Sequence, residues 1–244
     1  MTVALLDERI PDEARRSLER AGYHTILIPA CDRLPRAMAS HPDMLVMRIG
    51  DEIITERGYA EDNATVFEEI SSLYPSLTVR HADISLSDKY PEDCRLNALL
   101  MGNRLFTRTE SVAADILSLA ENRGIKAVRV RQGYPACTTL SLGENHAITA
   151  DCGMAKALRS EGIDVLLIEN GDILLPPYDY GFIGGAAGVH DGKVFFIGDL
   201  ATHRNGREIA DFCRGAGYEP ISLGVGALLD LGRIIFIDTE NNYD

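Results

Sequence analysis

The sequence predicts an α/β fold in which five strand–helix–strand–strand units form a ring. Three regularities support this prediction: glycines that end helices just before strands, hairpin turns at similar intervals, and helices with one apolar stripe between the hairpins. Strands and helices that alternate along a whole chain are typical of the α/β class. A unit that recurs every 20 to 50 residues or so is typical of a propeller or a solenoid.

The first regularity is a helix that ends on glycine and is followed at once by an apolar strand. Glycine accepts the left-handed conformation that closes a helix C-terminus. The pattern occurs as AGYHTILI (21–28), RGIKAVRV (123–130), EGIDVLLI (161–168) and AGYEPISL (216–223). Residues 73–80, LYPSLTVR, take the equivalent place with a Pro-Ser turn instead of glycine.

The second regularity is a series of apolar hairpins. A glycine beside a small polar residue is the composition that tight hairpin turns prefer. The candidate turns are Gly50-Asp51, Gly102-Asn103, Gly143-Glu144, Asp191-Gly192 and Leu231-Gly232. Their spacing of about 45 residues lies within the range of known structural repeats.

The third regularity is the apolar stripe of the intervening helices. Val112, Ile116 and Leu119 lie on one helical face, and the helix near residue 209 repeats the motif. Asp151 stands where an N-cap should, directly before a helix predicted over 152–161.

The units are predicted to begin with strands at 3–7, 53–56, 105–109, 146–151 and 193–199. A sixth copy, RIIFID (233–238), ends the series, and we expect it to pair with the N-terminal unit. A doubly wound parallel sheet would alternate single strands with helices, whereas here two strands separate most successive helices. Because no Pro/Gly/Ser-rich linker divides the chain, we predict one domain over residues 1–244.

Composition excludes several classes of function. The 244 residues are 45% hydrophobic, which suffices for a large core, and the net charge of −13 argues against nucleic acid as a partner. The five cysteines are scattered without a C-x-x-C pair, which predicts free thiols in a reducing cytoplasm. No apolar run, signal-peptide pattern, metal-ligand spacing or dinucleotide fingerprint occurs. We therefore expect no membrane association, no metal and no cofactor.

Several stretches resemble a known family. They are HPDM (41–44), QGYPAC (132–137), GENHAIT (143–149), YGFIGGAAG (180–188) and LLDLG (228–232). On these stretches the chain resembles a bacterial family of unknown function within the pentein superfamily, whose fold is a five-bladed α/β propeller of ββαβ repeats around a central channel. That superfamily includes arginine deiminase, dimethylarginine hydrolase, amidinotransferases and a non-catalytic ribosomal anti-association factor.

The resemblance also implies a site. In such a ring the first strand of each hairpin lines the channel, so Cys137 would lie at a channel mouth, partly accessible and reactive towards alkylating reagents. Other residues expected around the same opening are His41, Asp43, Asn97, Gly184, Gly185 and Asp230, with Glu144 at the rim. Asp230 lies among apolar residues, where an unpaired carboxylate is costly. It therefore needs a partner such as Arg233, backbone donors or a cationic ligand.

Guanidine-modifying penteins use a cysteine nucleophile, a histidine acid/base and carboxylates that hold the guanidinium. The resemblance would make Cys137 the nucleophile and His41 the acid/base, with Asp43 and Asp230 as carboxylates that hold the cation. Asn97, Gly184, Gly185 and Glu144 would contribute to substrate binding. In those enzymes the cysteine lies in the last repeat, whereas residues 222–233 here contain none.

Two hypotheses therefore remain open. One is a cysteine-dependent hydrolase or transferase that acts on a small guanidino or amidino compound. The other is a non-catalytic ring that binds a small molecule, cationic in nature, or a protein partner. Cys137 and the glycines near residue 184 have structural interpretations as packing residues, and a short distance from the Cys137 sulfur to an imidazole would favour catalysis.

Overall fold

The computed structural model describes residues 2–238. In these residues the strands form five three-stranded sheets and one two-stranded sheet. The strands are β1 (Val3–Asp7), β2 (His24–Ile28), β3 (Val46–Ile49), β4 (Glu52–Glu56), β5 (Thr78–Ala82), β6 (Leu99–Met101), β7 (Arg104–Thr107), β8 (Lys126–Arg129), β9 (Thr139–Leu142), β10 (His146–Thr149), β11 (Asp164–Leu167), β12 (Ile173–Leu174), β13 (Ala187–His190), β14 (Lys193–Phe196), β15 (Glu219–Ser222), β16 (Leu228–Leu229) and β17 (Ile235–Ile237).

The helices follow the strands in a regular order. They are α1 (Asp12–Arg20), α2 (Pro42–Leu45), α3 (Arg57–Asp62), α4 (Ala64–Leu73), α5 (Ala114–Asn122), α6 (Pro135–Thr138), α7 (Cys152–Ser160) and α8 (Gly206–Gly215). Two 3₁₀ turns lie at Glu92–Cys94 and Leu200–Thr202. No helix in this part of the chain is long and apolar enough to cross a membrane.

Each three-stranded sheet has the same design. Its central strand, which is β1, β4, β7, β10 or β14, pairs antiparallel with one neighbour and parallel with the other. One or two helices connect the central strand to its parallel partner, because a parallel pair needs a crossover. The predicted strand–helix–strand–strand unit therefore occurs five times in the described residues, and the α/β class is confirmed.

The chain ends meet in the first sheet. Strand β17 pairs antiparallel with β1, with Val3 opposite Ile237 and Leu5 opposite Ile235. This pairing confirms the predicted role of the last strand copy. It also corrects one turn: Leu231-Gly232 joins no hairpin, because β16 before it pairs with β12 and β17 after it pairs with β1.

The predicted helix ends and the other four predicted hairpin turns are confirmed. Gly22, Gly124, Gly162 and Gly217, which follow α1, α5, α7 and α8, all have positive φ angles. The glycines of the four predicted hairpin turns at residues 50, 102, 143 and 192 also have positive φ. Asp151 caps α7, since its side chain accepts a hydrogen bond from the Met154 amide.

Two short helices depart from the predicted strands and matter for the site. Cys137 lies not in the first strand of its hairpin but in α6, a single turn that precedes that strand, β9. His41 directly precedes α2, the equivalent turn before β3. Both helices begin with proline, whose fixed φ suits the first helical position and whose missing amide hydrogen is not needed there.

Candidate functional site

A cavity of about 320 Å³ lies where α2 and α6 lead into their strands. Its wall includes His41, Cys137 and Asp230 together with the aromatic residues Tyr134, Tyr180 and Phe182. This size suits a small ligand, and a mostly apolar wall with a few polar groups is typical of binding sites. The structure therefore brings three of the predicted site residues to one cavity.

The Cys137 thiol has two polar partners from other units of the chain. Its Sγ donates a hydrogen bond to Asp43 Oδ2 at 2.8 Å, and the Asn97 amide nitrogen lies 3.1 Å from the sulfur. Asn97 also donates to the Asp43 carbonyl at 3.1 Å and accepts from the Ala136 amide at 2.9 Å. Asn97 thus holds α2 against α6, which gives it a positioning role, and its contribution to substrate binding stays a prediction.

Burial sets the protonation of this pair. It raises the pKa of the Cys137 thiol well above its usual value, and the neighbouring Asp43 and Asp230 carboxylates raise the pKa further. Burial also raises the pKa of Asp43 to about 6, against the opposing effect of the hydrogen bond from Cys137. At neutral pH the pair is therefore a protonated thiol that donates to a carboxylate. Asp43 Oδ1 has no hydrogen-bond partner in the part of the chain that the structure describes.

His41 lines the same cavity but forms no hydrogen bond with the Cys137 thiol. Its ring is 1% exposed, and neither ring nitrogen has a hydrogen-bond partner among the described residues. Its Nε2 lies 3.9 Å from Asp7 Oδ2 and its Nδ1 lies 4.0 Å from Asp230 Oδ1. Burial lowers the pKa of His41 to about 4, so the imidazole is neutral at physiological pH. The partner of the sulfur is Asp43 and not the expected imidazole.

Asp230 is held by backbone donors on both sides. Its Oδ2 accepts from the Phe182 amide at 2.8 Å and its Oδ1 accepts from the Gly232 amide at 3.2 Å. Burial raises the pKa of Asp230 to about 7, and the charge of Asp43 adds to the rise. The carboxyl group therefore exchanges its proton near neutral pH, which is the range useful for acid–base chemistry.

Of the partners that the sequence allowed for Asp230, the structure shows backbone donors and not Arg233. Its backbone φ is +74°, and its guanidinium donates to Ser141 Oγ at 2.7 Å. Burial lowers the pKa of Arg233, whereas Asp43 and Cys137 raise it. The side chain lines a second cavity of about 90 Å³ on the other side of Asp43 and forms no ion pair with Asp230.

Gly184 and Gly185, which were expected near the opening, allow close packing of the backbone. A Cβ on Gly184 would overlap the backbone carbonyls of Ala136, Cys137 and Thr139, and a Cβ on Gly185 would overlap the Asp230 carboxyl. The Gly185 amide donates to the Cys137 carbonyl at 3.0 Å. Both glycines therefore allow the close approach of α6 and Asp230. The space that a side chain would occupy at each glycine is filled by other atoms of the protein.

The placement of Glu144 at the rim was wrong. Glu144 is exposed in the turn between β9 and β10, beside the Gly102 turn. Cys137 precedes β9, and four strand residues span roughly 13 Å. Glu144 therefore lies at the opposite end of the strand from the thiol.

The sequence reasoning missed Asp7, which is 1% exposed at the end of β1. Its carboxylate accepts from Ser40 Oγ at 2.8 Å and pairs with the Arg9 guanidinium at 2.5 Å. An acidic residue that ends an apolar strand was the available signal. Tyr180 and Phe182 were also missed, although both belong to a segment that the sequence analysis had singled out.

Comparisons with known proteins agree with this fold. A family model described as a family of unknown function, DUF6873, matches residues 5–235. No curated protein matches the chain. Among residues 2–238, no group of three or more His, Cys, Asp or Glu side chains is placed to hold a metal ion.

Three solved structures illustrate the likeness. A dimethylarginine dimethylaminohydrolase is 13% identical with a TM-score of 0.55, covering 91% of this chain and 90% of its own. An agmatine deiminase from C. jejuni is 9% identical with a TM-score of 0.55, covering 91% and 87%. The amidinotransferase SxtG from Microseira wollei is 13% identical with a TM-score of 0.55, covering 90% and 87%. These proteins are members of the pentein superfamily, and at such low identity the likeness concerns the fold alone.

Proposed function

The chain belongs to the family of unknown function DUF6873, and we propose that it is a cysteine-dependent hydrolase or transferase of a small guanidino or amidino compound. The observation that carries the proposal is the 2.8 Å hydrogen bond from Cys137 Sγ to Asp43 Oδ2 beside a cavity. A thiol in contact with a base is the arrangement that nucleophilic catalysis requires. The names of the structural neighbours support the general kind of substrate.

We also propose that the five sheets are the blades of a five-bladed α/β propeller around a central channel. The pairing of β17 with β1 supports closure of the ring. The second cavity supports a channel, since residues of β3, β6, β13 and β17 line it together. In this arrangement the two cavities are the two ends of one channel, and Asp43 and Arg233 lie between them.

A cationic ligand would change the state of the thiol. Without a bound cation the Cys137 thiol is neutral, because burial and two carboxylates raise its pKa. A guanidinium or amidinium near Asp230 adds a positive charge, which lowers the pKa of a neighbouring thiol. Binding of the cation therefore activates the nucleophile, and the thiol is unreactive without it.

The proposed first step is balanced in protons and electrons. Asp43 takes the proton of Cys137, and the sulfur forms a bond to the central carbon of the guanidinium. The bond from that carbon to the leaving nitrogen then breaks, and the nitrogen takes a proton. Asp43 gives that nitrogen the proton that it took from the thiol, while the ionised Asp230 holds the cation. The products are a neutral amine and a cationic S-amidino cysteine beside an ionised Asp230.

The second step returns the thiol. Water attacks the S-amidino carbon in a hydrolase, or an acceptor amine attacks it in a transferase, and the carbon–sulfur bond breaks. Asp43 takes one proton from the nucleophile and gives it to the sulfur. The transferase product is a guanidinium, whereas the hydrolase product is a neutral urea, because the second proton of the water passes to the solvent. The site residues end in their starting protonation states.

The experiment is a turnover and trapping assay with purified protein and a panel of alkylguanidines and amidines. We expect release of an amine or ammonia, and a mass increase on the peptide that contains Cys137. Cys137→Ala and Asp43→Asn should abolish both signals, whereas Cys152→Ser should retain them because Cys152 is exposed on α7. Turnover that persists in Cys137→Ala would exclude this mechanism.

A second candidate function is binding without chemistry. The raised pKa of Cys137 and its 3% exposure favour it, because such a thiol is inert in the absence of a cation. In that case guanidino compounds would raise the melting temperature, without turnover or a covalent adduct. The thermal shift and the mass measurement on one set of samples separate the two functions.

A further inference from the structure

The cavity beside Cys137 has an acidic and aromatic wall without a positive charge. Asp230 lies at its inner end and Asp179 at its exposed rim, and no Lys or Arg of residues 2–238 lines it. The nearby arginines are bonded elsewhere: Arg9 pairs with Asp7, and Arg233 lines the second cavity. A ligand in this cavity therefore finds carboxylates and no cationic partner.

His41 indicates that the cavity receives a ligand with hydrogen-bond donors. Its two ring nitrogens are buried and have no hydrogen-bond partner among residues 2–238, which costs free energy unless a ligand or water satisfies them. A neutral imidazole has one acceptor nitrogen, and a guanidinium has only donors. The N–H groups of a guanidinium head therefore match both the imidazole acceptor and Asp230.

The segment from Asp179 to Phe182 limits the distance between the Asp179 and Asp230 carboxylates. The Phe182 amide donates to Asp230, and Asp179 lies three residues earlier in the chain. Three residues span at most about 11 Å even when fully extended. Tyr180 and Phe182 lie between them, with ring centroids 6.4 Å apart, and provide faces on which a cation or an alkyl chain can pack.

Asp179 has the properties of a recognition group at the mouth. It is exposed, and it forms no hydrogen bond or ion pair with a described residue. Because it needs no protein partner, its charge is available to a ligand that projects from the cavity. An exposed ion pair of this kind contributes modestly, and it distinguishes a positive end from a negative one.

We infer that the ligand is a dication without a carboxylate: a guanidinium or amidinium head at Asp230 and an ammonium at Asp179, joined by a short aliphatic chain. This inference rests on the proposed function and narrows its substrate class. A ligand with a carboxylate at the same end would face Asp179 without a compensating cation. Specificity then comes from repulsion of the acid as well as from attraction of the amine.

The test is calorimetric binding to the Cys137→Ala variant, which cannot react. The four probes are butylguanidine, 4-guanidinobutylamine, 4-guanidinobutyrate and arginine, which differ in the charge at the end of the chain. We expect 4-guanidinobutylamine to bind about five- to tenfold more tightly than butylguanidine, in line with an exposed ion pair. The two carboxylate-bearing probes should bind more weakly than butylguanidine.

A second substitution assigns the selectivity to one residue. Asp179→Asn, made in the Cys137→Ala background, should remove most of the advantage of the amine and leave the affinity for butylguanidine unchanged. Asp164→Asn is the matched control, because Asp164 is an exposed aspartate beside the turn between β9 and β10. It removes the same charge and should leave all four affinities unchanged.

The outcomes separate this inference from the proposed function. Binding of arginine or 4-guanidinobutyrate as tightly as the amine, or an unchanged preference in Asp179→Asn, overturns the dication inference alone. Failure of all four probes to bind, together with no turnover of guanidines by the wild-type protein, overturns both. Selectivity lost equally in Asp164→Asn would show a general charge effect and would also overturn the role of Asp179.

Discussion

Cys137 differs from the reactive thiol that its sequence position suggested. It is 3% exposed and is hydrogen-bonded to a carboxylate, and its raised pKa keeps it protonated. Cys152, at the N-terminus of α7, is exposed, whereas the other four cysteines are buried. Alkylation requires both access and a thiolate, so burial argues against the partly accessible, reactive Cys137 that was expected.

We predict that Cys152 is alkylated first and that Cys137 reacts at least about tenfold more slowly, because its thiol is buried and neutral. The measurement is the rate of iodoacetamide labelling of each cysteine peptide at mildly alkaline pH, followed by mass spectrometry. The unfolded protein, in which all five thiols should react at similar rates, is the control. Equal rates for Cys137 and Cys152 in the folded protein would contradict the buried thiol.

Asp230 couples the stability of the fold to pH. An unfolded aspartate has a pKa of about 3.9, whereas burial, with Asp43, raises the pKa of Asp230 to about 7 in the folded protein. Between these values the folded state holds a proton that the unfolded chain has lost. The contribution of Asp230 to stability is therefore present below about pH 4 and is lost as the pH rises through about 7.

We predict that Asp230→Asn gains stability relative to the wild-type protein as the pH rises. The difference in unfolding free energy should change by up to about 1.4 kcal/mol per pH unit between about pH 4 and 7, since one proton is involved. Urea denaturation at several pH values measures it, with Asp164→Asn as the control that should show no such trend. A difference that is constant across this range would exclude a raised pKa for Asp230.

At the scale of elements, the one-turn helices α2 and α6 place the site. Each comes directly before a strand, so its side chains stand at the end of the sheet and not within it. The segment with Gly184 and Gly185 passes against α6 closely enough that the Gly185 amide bonds to the Cys137 carbonyl. The absence of side chains at these glycines is therefore a requirement of the site.

We predict that Gly184→Ala destabilises the fold by about 1–3 kcal/mol, because its Cβ would overlap three backbone carbonyls that cannot move independently. Gly215→Ala is the matched control, since a Cβ there meets no atom within 4 Å at the end of α8. Alanine at that helical position should be neutral or stabilising by up to about 1 kcal/mol. Thermal and urea denaturation of both variants provide the comparison, and equal effects would contradict the close approach.

At the scale of the whole molecule, the last strand connects the first unit to the fifth. Strand β17 pairs with β1, and the Phe236 ring packs against Tyr23 and Phe195 with centroids 4.9 and 5.6 Å apart. Residues near a chain end usually tolerate substitution. Phe236 is an exception because its contacts join residues that lie far apart in the sequence.

We predict that Phe236→Ala lowers the free energy of unfolding by about 3–5 kcal/mol, as for other buried aromatic rings. Phe212→Ala, on the partly exposed side of α8, should cost less than half as much. If the chain is the single domain that was predicted, circular dichroism and tyrosine fluorescence should follow one urea transition in both variants. Two separate transitions would contradict a single domain.

The sequence predicted the fold where local rules decide it. The positive φ of Gly22 and Gly50, the cap at Asp151 and the apolar stripe of α5 each follow from a few neighbouring residues. The Leu231-Gly232 turn was misassigned because the same glycine signal fits any left-handed position. Only its strand partners show that no hairpin is present.

By itself, therefore, the sequence determined the repeating units, their strands and helices, and a set of polar residues near the strand ends, because these depend on short-range periodicity and turn chemistry. Tertiary structure alone decided which of these residues meet. Cys137 and Asp43 are 94 positions apart, and Asp230 comes from the last unit. Their contacts and raised pKa values arise from packing between units, which removes water from groups that have no local reason to be buried.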